Sequence, residues 1–328
     1  MKKFFTLLID AIFVTRPIIL IPVWGFFFFG YYRSCIINHG ESLTSIDLFN
    51  KSYRLLLYIP DINIFIVLGM FTLLMAGSFI FNQIRDIKTD TLNDGIPIIA
   101  KGGYPISMAI AETCIFTIIP LIYALLMSKL LAVFIFSAFF LTVLYNVKPF
   151  YFSGKPFLDF LSNGIGFGII AFGIGWISAQ GHNSPDLKNC FLQALPYFFG
   201  MSCGSIGSTI PDEIGDSKTG KITTVIYLGR DKANLLCILF LTLALLFSIY
   251  NSDFLMIIMS TVSLPLFIKY QITGNRKDGI YAFQICGGIM MLLVLFIFPW
   301  FLAIALPASI GTKLYFKFRH KTVYPKIG

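Results

Sequence analysis

Leu235-Leu-Cys-Ile-Leu-Phe-Leu-Thr-Leu-Ala-Leu-Leu-Phe-Ser-Ile-Tyr250 carries no charged residue and has no polar face. A helix on the surface of a soluble domain shows one apolar stripe, and a membrane barrel strand alternates over about ten residues. This run is apolar all round, which suits a helix in hydrocarbon, where the backbone must satisfy its own polar groups. Similar runs lie near 17–32, 62–81, 105–127, 130–144, 158–179, 190–210, 254–268 and 280–306. Most are near the roughly 20 residues a spanning helix needs. With 234–250 they predict an all-α membrane protein of about nine spans. Composition agrees: the chain is 57% hydrophobic and 12% charged, against about 25% charged in soluble domains.

The Met1-Lys2-Lys3 start has the look of a signal peptide, but Asp10 and Arg16 interrupt the apolar region after it and no small-residue cleavage site appears. The first span is expected to be retained. No linker divides the chain, so the reading is one polytopic membrane domain over 1–310 with a short basic tail over 311–328. A net charge of +9 could suggest nucleic acid, but the basic residues are distributed as topology signals. With the N-terminus cytoplasmic, loops on that side hold fifteen of the 25 Lys and Arg and the opposite loops hold five. The other five follow Gly311, where nine spans would put them outside, against the rule. The six cysteines form no close pairs and read as small apolar packing residues. His39, His182 and His320 are scattered loop residues.

Spans two, four, six and eight run the same way, so segments 82–104, 145–157, 211–233 and 269–279 emerge on one face. That face collects ten of the sixteen acidic residues. The first cluster reads Asn82-Gln-Ile-Arg-Asp86-Ile-Lys-Thr-Asp90, and the second reads Asp212-Glu-Ile-Gly-Asp216-Ser-Lys-Thr-Gly220-Lys221-Ile-Thr223. Asp86 and Asp90 each stand 126 residues from their counterparts, a hint of an internal four-helix repeat. Oxygen-bearing side chains at i, i+4 and i+8 share one stripe of a continued helix, and Gly220 is a plausible helix stop. Carboxylates at i and i+4 repel by about 0.2–0.5 kcal/mol on an exposed helix. A positive species is therefore expected between them. Hard oxygen donors favour magnesium, which takes one or two carboxylates per ion and completes its shell with waters and phosphates. Two facing clusters would then hold a diphosphate through bridging ions.

The bland reading of one such pair is a solvated helix end. Two pairs at same-face span ends, each flanked by Lys or Arg, favour function, as ionisable residues at membrane boundaries generally do. Between them lies Leu144-Tyr145-Asn-Val-Lys148-Pro-Phe-Tyr-Phe-Ser-Gly-Lys155-Pro156, readable as an interfacial aromatic belt. Its functional reading gives the lysines to phosphate and Tyr145 to a cation or an acceptor. Asp159 and Asn163 follow one turn apart. A cation-coupled transporter is the alternative, though alternating access calls for a site near the midplane. Another magnesium-dependent membrane enzyme of diphosphates, of the CDP-alcohol phosphotransferase type, lacks its D-G-x-x-A-R signature here.

On these residues the sequence resembles the UbiA superfamily of intramembrane prenyltransferases. Asn82, Asp86 and Asp90 match that family's first motif, N-D-x-x-D-x-x-x-D, with Gln83 in place of one aspartate. Asp212, Asp216, Gly220 and Thr223 match its second, D-x-x-x-D-x-x-x-G-x-x-T, in full. The Tyr145 to Asn163 stretch is similar to the family's tyrosine-lysine segment, from which Asn146 and Lys148 depart. Ile96-Pro97 stands where Arg-Pro is frequent.

The resemblance implies nine helices around a central cavity, capped by the aspartate loops on the cytoplasmic side and open laterally to lipid. It implies two magnesium ions held by Asn82, Asp86, Asp90, Asp212 and Asp216. Arg85, Lys148, Lys155 and Lys221 would balance the remaining diphosphate charge, and Thr223 and Asn163 would add substrate contacts. The implied reaction is ionisation of a prenyl diphosphate to an allylic cation in a dry, phenylalanine-rich cavity, with Tyr145 beside it. An aromatic or lipid-like acceptor would then capture the cation. The implied location is an integral multi-pass one, the cell membrane in a prokaryote.

Overall fold

The computed structural model describes residues 2–38, 60–92, 96–180, 186–211, 213–218 and 220–324. Most of the long loop expected at 35–61, together with His39, His182 and Asp212, lies outside them. Among the described residues every regular element is helical. Nine helices among the described residues are long and apolar enough to cross a membrane: Pro17–Ile37, Ile62–Arg85, Ile106–Met127, Lys129–Asn146, Leu158–Ala179, Arg230–Tyr250, Phe254–Thr273, Arg276–Ile297 and Pro299–His320. The all-α membrane fold is as the apolar runs predict.

The elements are, in order, α1 (Lys2–Val14), α2 (Pro17–Asn38), α3 (Ile62–Arg85), α4 (Ile87–Leu92), α5 (Pro97–Ala100), α6 (Ile106–Met127), α7 (Lys129–Asn146) and α8 (Leu158–Asn163). A π-helical stretch, Gly164–Ala171, joins α8 to α9 (Phe172–Ala179) within one span. Then come α10 (Leu187–Thr209), α11 (Glu213–Lys218), α12 (Thr224–Leu228), α13 (Arg230–Tyr250), α14 (Phe254–Thr273), α15 (Arg276–Ile297) and α16 (Leu302–Tyr315), which continues as π-helix to His320.

The helices differ from the sequence expectation in two assignments. The sixth run, 190–210, is carried by α10, whose Ser202, Ser205, Ser208 and Thr209 make it more polar than the other long helices. The last run, 280–306, is two antiparallel helices. Pro299 has no N–H to continue α15, and the chain reverses through a 3₁₀ turn at Pro299–Phe301. Trp300 in this turn packs against Phe65, at the start of α3, with ring centroids 5.4 Å apart. The reversal therefore lies toward the end of the bundle away from Asp86, and α16 leads back to the aspartate face. There Tyr315 and Phe316 form a small apolar cluster with Val14, Ile96, Ile98 and Tyr104. The basic tail thus shares a face with the aspartate segments, which removes the conflict with the positive-inside rule.

Spans two and four run parallel, as span counting requires. Thr142 donates to Ser78 at 3.0 Å and Asn82 donates to Asn146 at 2.8 Å, so both pairs keep the same sequence offset one helical turn apart. Close backbone packing holds the centre. A Cβ on Gly30 would stand 1.9 Å from the Phe172 carbonyl oxygen, and one on Gly175 would stand 1.8 Å from that of Phe27. Only glycine lets α2 and α9 approach this closely, the small-residue device of membrane helix pairs. The phenylalanines near this contact pack on one another and on Tyr197, with Phe26, Phe29 and Phe172 all within ring-contact distance of it. Cys190, Cys203, Cys237 and Cys286 are buried among the helices as free thiols.

Candidate functional site

The first aspartate segment begins where α3 ends. Helix α3 stops at Arg85 and α4 starts at Ile87, but the i to i−4 bonds run on: the Asp86 N–H reaches the Asn82 carbonyl at 2.9 Å and Asp90 reaches Asp86 at 2.8 Å. Asn82, Asp86 and Asp90 therefore keep nearly the common stripe expected of a continued helix. The Asn82 amide nitrogen donates both to Asp86 Oδ2 at 3.2 Å and to Asn146 Oδ1 at 2.8 Å. Gln83 faces the other way. It is buried, and its amide nitrogen donates to the Val14 carbonyl at 2.7 Å, tying α1 to α3.

The second segment forms α11 and a tight return. The Lys221 N–H bonds back to the Asp216 carbonyl at 3.1 Å, and Gly220 takes the positive φ of 75° that this reversal needs. Asp216 is buried, and its carboxylate lies 3.9 Å from the Lys221 ammonium. The next turn is pinned from beneath. Asp159, at the start of α8, accepts from the Thr224 N–H at 2.7 Å and from the Thr224 hydroxyl, which also accepts from the Phe157 N–H. Asp159 is thus engaged in holding the loop.

Lys221 occupies the middle of the constellation. Burial works against its charge, yet Tyr145, Asp216, Asp86 and Tyr151 together hold the ammonium well above the ordinary lysine range. Burial likewise pushes the Asp86 carboxyl above the usual carboxylate range, against the pull of Lys221, the Asn82 hydrogen bond, Arg16 and Arg85. Tyr151 is raised by burial and by the charge of Asp86. A Cβ on Gly154 would stand 2.4 Å from the Tyr151 ring and 3.4 Å from the Lys221 stem. The Phe-Ser-Gly turn therefore lets ring and lysine lie together. Tyr145 enters from the end of α7, paired with Asn163, which also donates to Ser205 at 2.8 Å.

The structure separates the other expected contacts. Lys155 is exposed and donates to the Pro149 carbonyl at 2.8 Å, within its own loop. Lys148 is exposed, with its ammonium 5.9 Å from the Tyr151 ring centroid. Arg85 is exposed too and reaches Asp86 only through its field. Thr223 is buried, and its hydroxyl has no partner among the described residues. Asp90 and Asp216 have further interactions of their own, and Asp212 lies outside the described residues. Among the described residues no three His, Cys, Asp or Glu side chains converge on one point. Oxygen donors instead approach from two sides, on α3–α4 and on α11, an arrangement that could hold a divalent cation together with a ligand.

A cleft of about 240 Å³ lies between α3, α6 and α7, lined by Leu74, Phe81, Ile118, Phe139 and Val143 among others. Ser78 and Thr142 also line it, one turn before Asn82 and Asn146.

The UbiA prenyltransferase family model matches residues 57–279, two thirds of the sequence. The chain belongs to this family. No curated protein matches it in sequence. Among solved structures it is similar to a UbiA homolog from Archaeoglobus fulgidus bound to GPP and Mg2+, with 17% identity, 93% of this chain and 99% of that one covered, and a TM-score of 0.58. A digeranylgeranylglyceryl phosphate synthase structure gives 17% identity, coverage of 93% and 100%, and a TM-score of 0.65. An apo UbiA homolog from Aeropyrum pernix K1 gives 14% identity, coverage of 88% and 98%, and a TM-score of 0.60. At such identities the likeness is one of fold.

Three groups in this constellation are not singled out by sequence. Asn146 reads there only as a departure from a motif, Tyr151 as one aromatic among several, and Arg16 as an interruption of a leader. All three reach the site through long-range packing. The signal available is position, since Asn146 and Tyr151 follow Tyr145 in the one aromatic-basic loop on the aspartate face.

Proposed function

We propose that this protein transfers a prenyl group from a prenyl diphosphate to an aromatic or lipid-like acceptor within the membrane. The observation that carries the reading is the placement of Lys221, half-buried between Asp86 on one helix end and Asp216 on another, with Tyr145 and Tyr151 around it. A half-buried cation flanked by two hard-oxygen faces suits a diphosphate that itself brings metal.

The donor set fits magnesium, which uses few protein carboxylates and relies on substrate phosphates for the rest of its shell. Asn82, Asp86 and Asp90 on one side and Asp212 and Asp216 on the other would hold two ions. Burial raises the Asp86 carboxyl, and a divalent cation bound there would favour its charged form. When bound, the metal supplies charge that stabilises the departing pyrophosphate. Lys221 adds a fixed positive charge to the same leaving group. Tyr145, at the end of α7, would stand beside the allylic cation. The mostly apolar cleft between α3, α6 and α7 would offer the prenyl chain a dry course beside the site. The ligands of two structural relatives, GPP with Mg2+ in one and DMAPP with Mg2+ in the other, support this substrate class.

The aspartate face is the cytoplasmic one on this reading, because Lys317, Arg319 and Lys321 of the tail join the basic loops there. Purified protein incubated with magnesium and labelled geranyl diphosphate tests the activity. Binding and pyrophosphate release are expected for the wild type and lost in Asp86→Ala and Asp216→Ala. Retention of both in both variants overturns the reading.

A further inference from the structure

Outside the matched region, the two ends of the chain are locked together on the aspartate face. Helix α1 turns Phe5, Leu8, Ile9 and Ile12 outward, at the spacing of an apolar stripe on an interfacial helix. Its other face carries Asp10, fully buried. Asp10 accepts from the Tyr315 hydroxyl at 2.7 Å and from two nitrogens of Arg319 at 3.0 and 3.2 Å. The Tyr315 ring stacks on Phe13 with centroids 4.1 Å apart. A planar two-point carboxylate contact of this kind fixes orientation as well as distance.

This clasp delivers Tyr324 to Arg16. Arg16 forms the corner between α1 and α2 with φ at 59°, a left-handed conformation that a long side chain rarely adopts and that persists only when its surroundings hold it. Its Nε and Nη2 both donate to the Tyr324 hydroxyl, at 3.3 and 3.0 Å. The Tyr324 ring in turn packs on Phe316, centroids 4.6 Å apart. The corner sits beside the first aspartate segment, because the Val14 carbonyl accepts from Gln83, three residues before Asp86. The positive charge of Arg16 is felt at Asp86.

We infer that Tyr324 is a positioning residue, by which the C-terminal tail holds the Arg16 guanidinium at the first aspartate segment for use on the substrate diphosphate. Two of the five guanidinium N–H groups are directed to a neutral phenol that does not cancel the charge, which leaves others for phosphate oxygens. The inference rests on the proposed function, and the test separates the two.

Full-length protein in detergent is titrated with geranyl diphosphate in magnesium, as wild type, Tyr324→Phe, Arg16→Ala and the double variant. Phenylalanine keeps the ring contact with Phe316 and leaves the Asp10–Arg319 clasp intact, so the melting temperature should move by only a few degrees. Tyr324→Phe, which removes both hydrogen bonds to Arg16, is expected to weaken binding about five- to tenfold. In pyrophosphate release the loss should appear in KM. Arg16→Ala should weaken binding at least as much, and the double variant no further, because the tyrosine acts only through the arginine. Wild-type affinity in Tyr324→Phe, or losses that multiply in the double variant, overturns the inference while leaving the proposed function standing. A wild type that binds no prenyl diphosphate overturns both.

Discussion

The amide nitrogen of Asn82 lies 2.8 Å from Oδ1 of Asn146, and the direction of that bond is fixed from below. Asn146 donates its own amide nitrogen to the Thr142 carbonyl at 2.9 Å, so its oxygen must face Asn82. Asn82 therefore turns its nitrogen toward Asn146 and Asp86 and keeps its oxygen for the site. If that oxygen meets a metal, Asn146 is the group that orients it. Asn146→Ala is expected to cost about 10- to 100-fold in magnesium affinity, the range for partners that orient metal ligands. A magnesium titration of geranyl diphosphate binding reads the effect. Asn146→Asp, which keeps an acceptor, should recover part of it.

Lys221 and Lys155 carry the same charge in the same neighbourhood but do different work. Lys221 is half-buried beside Asp216, whereas Lys155 is exposed on a loop carbonyl. Replacing Lys221 with Met should lower kcat for pyrophosphate release by about 10²-fold or more, as loss of a preorganised charge on a leaving group does. Lys155→Met should stay within about twofold of wild type. Equal losses in the two variants would show that the loop lysine closes onto substrate.

The difference between those lysines marks what a sequence can convey. Asp86 and Asp216 are legible because helix period and span parity are local and cumulative, and both put the motifs at same-face span ends. Lys221 follows from its place in the second motif. Lys155 cannot be dismissed from sequence, because its fate depends on whether its stem folds back on Pro149. Asn146, Tyr151 and Arg16 are hidden for the complementary reason. Each gains its role from a partner in another element: Asn82 on α3 for Asn146, Gly154 and Lys221 for Tyr151, the tail for Arg16. The nine helices that are long and apolar enough equal the predicted runs in number but not in membership: α10 is too polar to be among them, and the last run is two helices, because hydropathy registers Pro299 as one residue in a long apolar stretch and not as a reversal of direction.

The bond between Asp159 and Thr224 is structural, and its loss should be seen in stability first. The Thr224 hydroxyl both donates to Asp159 and accepts from the Phe157 N–H, so Thr224→Val leaves a buried carboxylate and a part-buried N–H each short of a partner. Hydrogen bonds to charged groups are worth about 1.5–3 kcal/mol, and a loss of that order is expected in denaturant unfolding of the detergent-solubilised protein. Thr224→Ser keeps the hydroxyl and should recover most of it. Because the segment 216–224 includes Lys221, hydrogen exchange there should quicken in Thr224→Val. Unchanged stability in that variant would mean the clamp is redundant.

The tail and the aspartate segments should label from one side of the membrane. If the last apolar run crossed once, nine spans would place Lys321 opposite Lys218. The Pro299 reversal and the contact of Tyr324 with Arg16 place them together instead. Lys218, Lys321 and Lys188 are all exposed, so single cysteines at these positions in a cysteine-free background can be probed with an impermeant thiol reagent. Lys218→Cys and Lys321→Cys are expected to react in inside-out vesicles and Lys188→Cys in right-side-out cells, in keeping with the excess of basic residues on the aspartate face. Labelling of Lys321→Cys together with Lys188→Cys would break the clasp, because Asp10 and Arg319 cannot form a two-point contact from opposite sides of a bilayer.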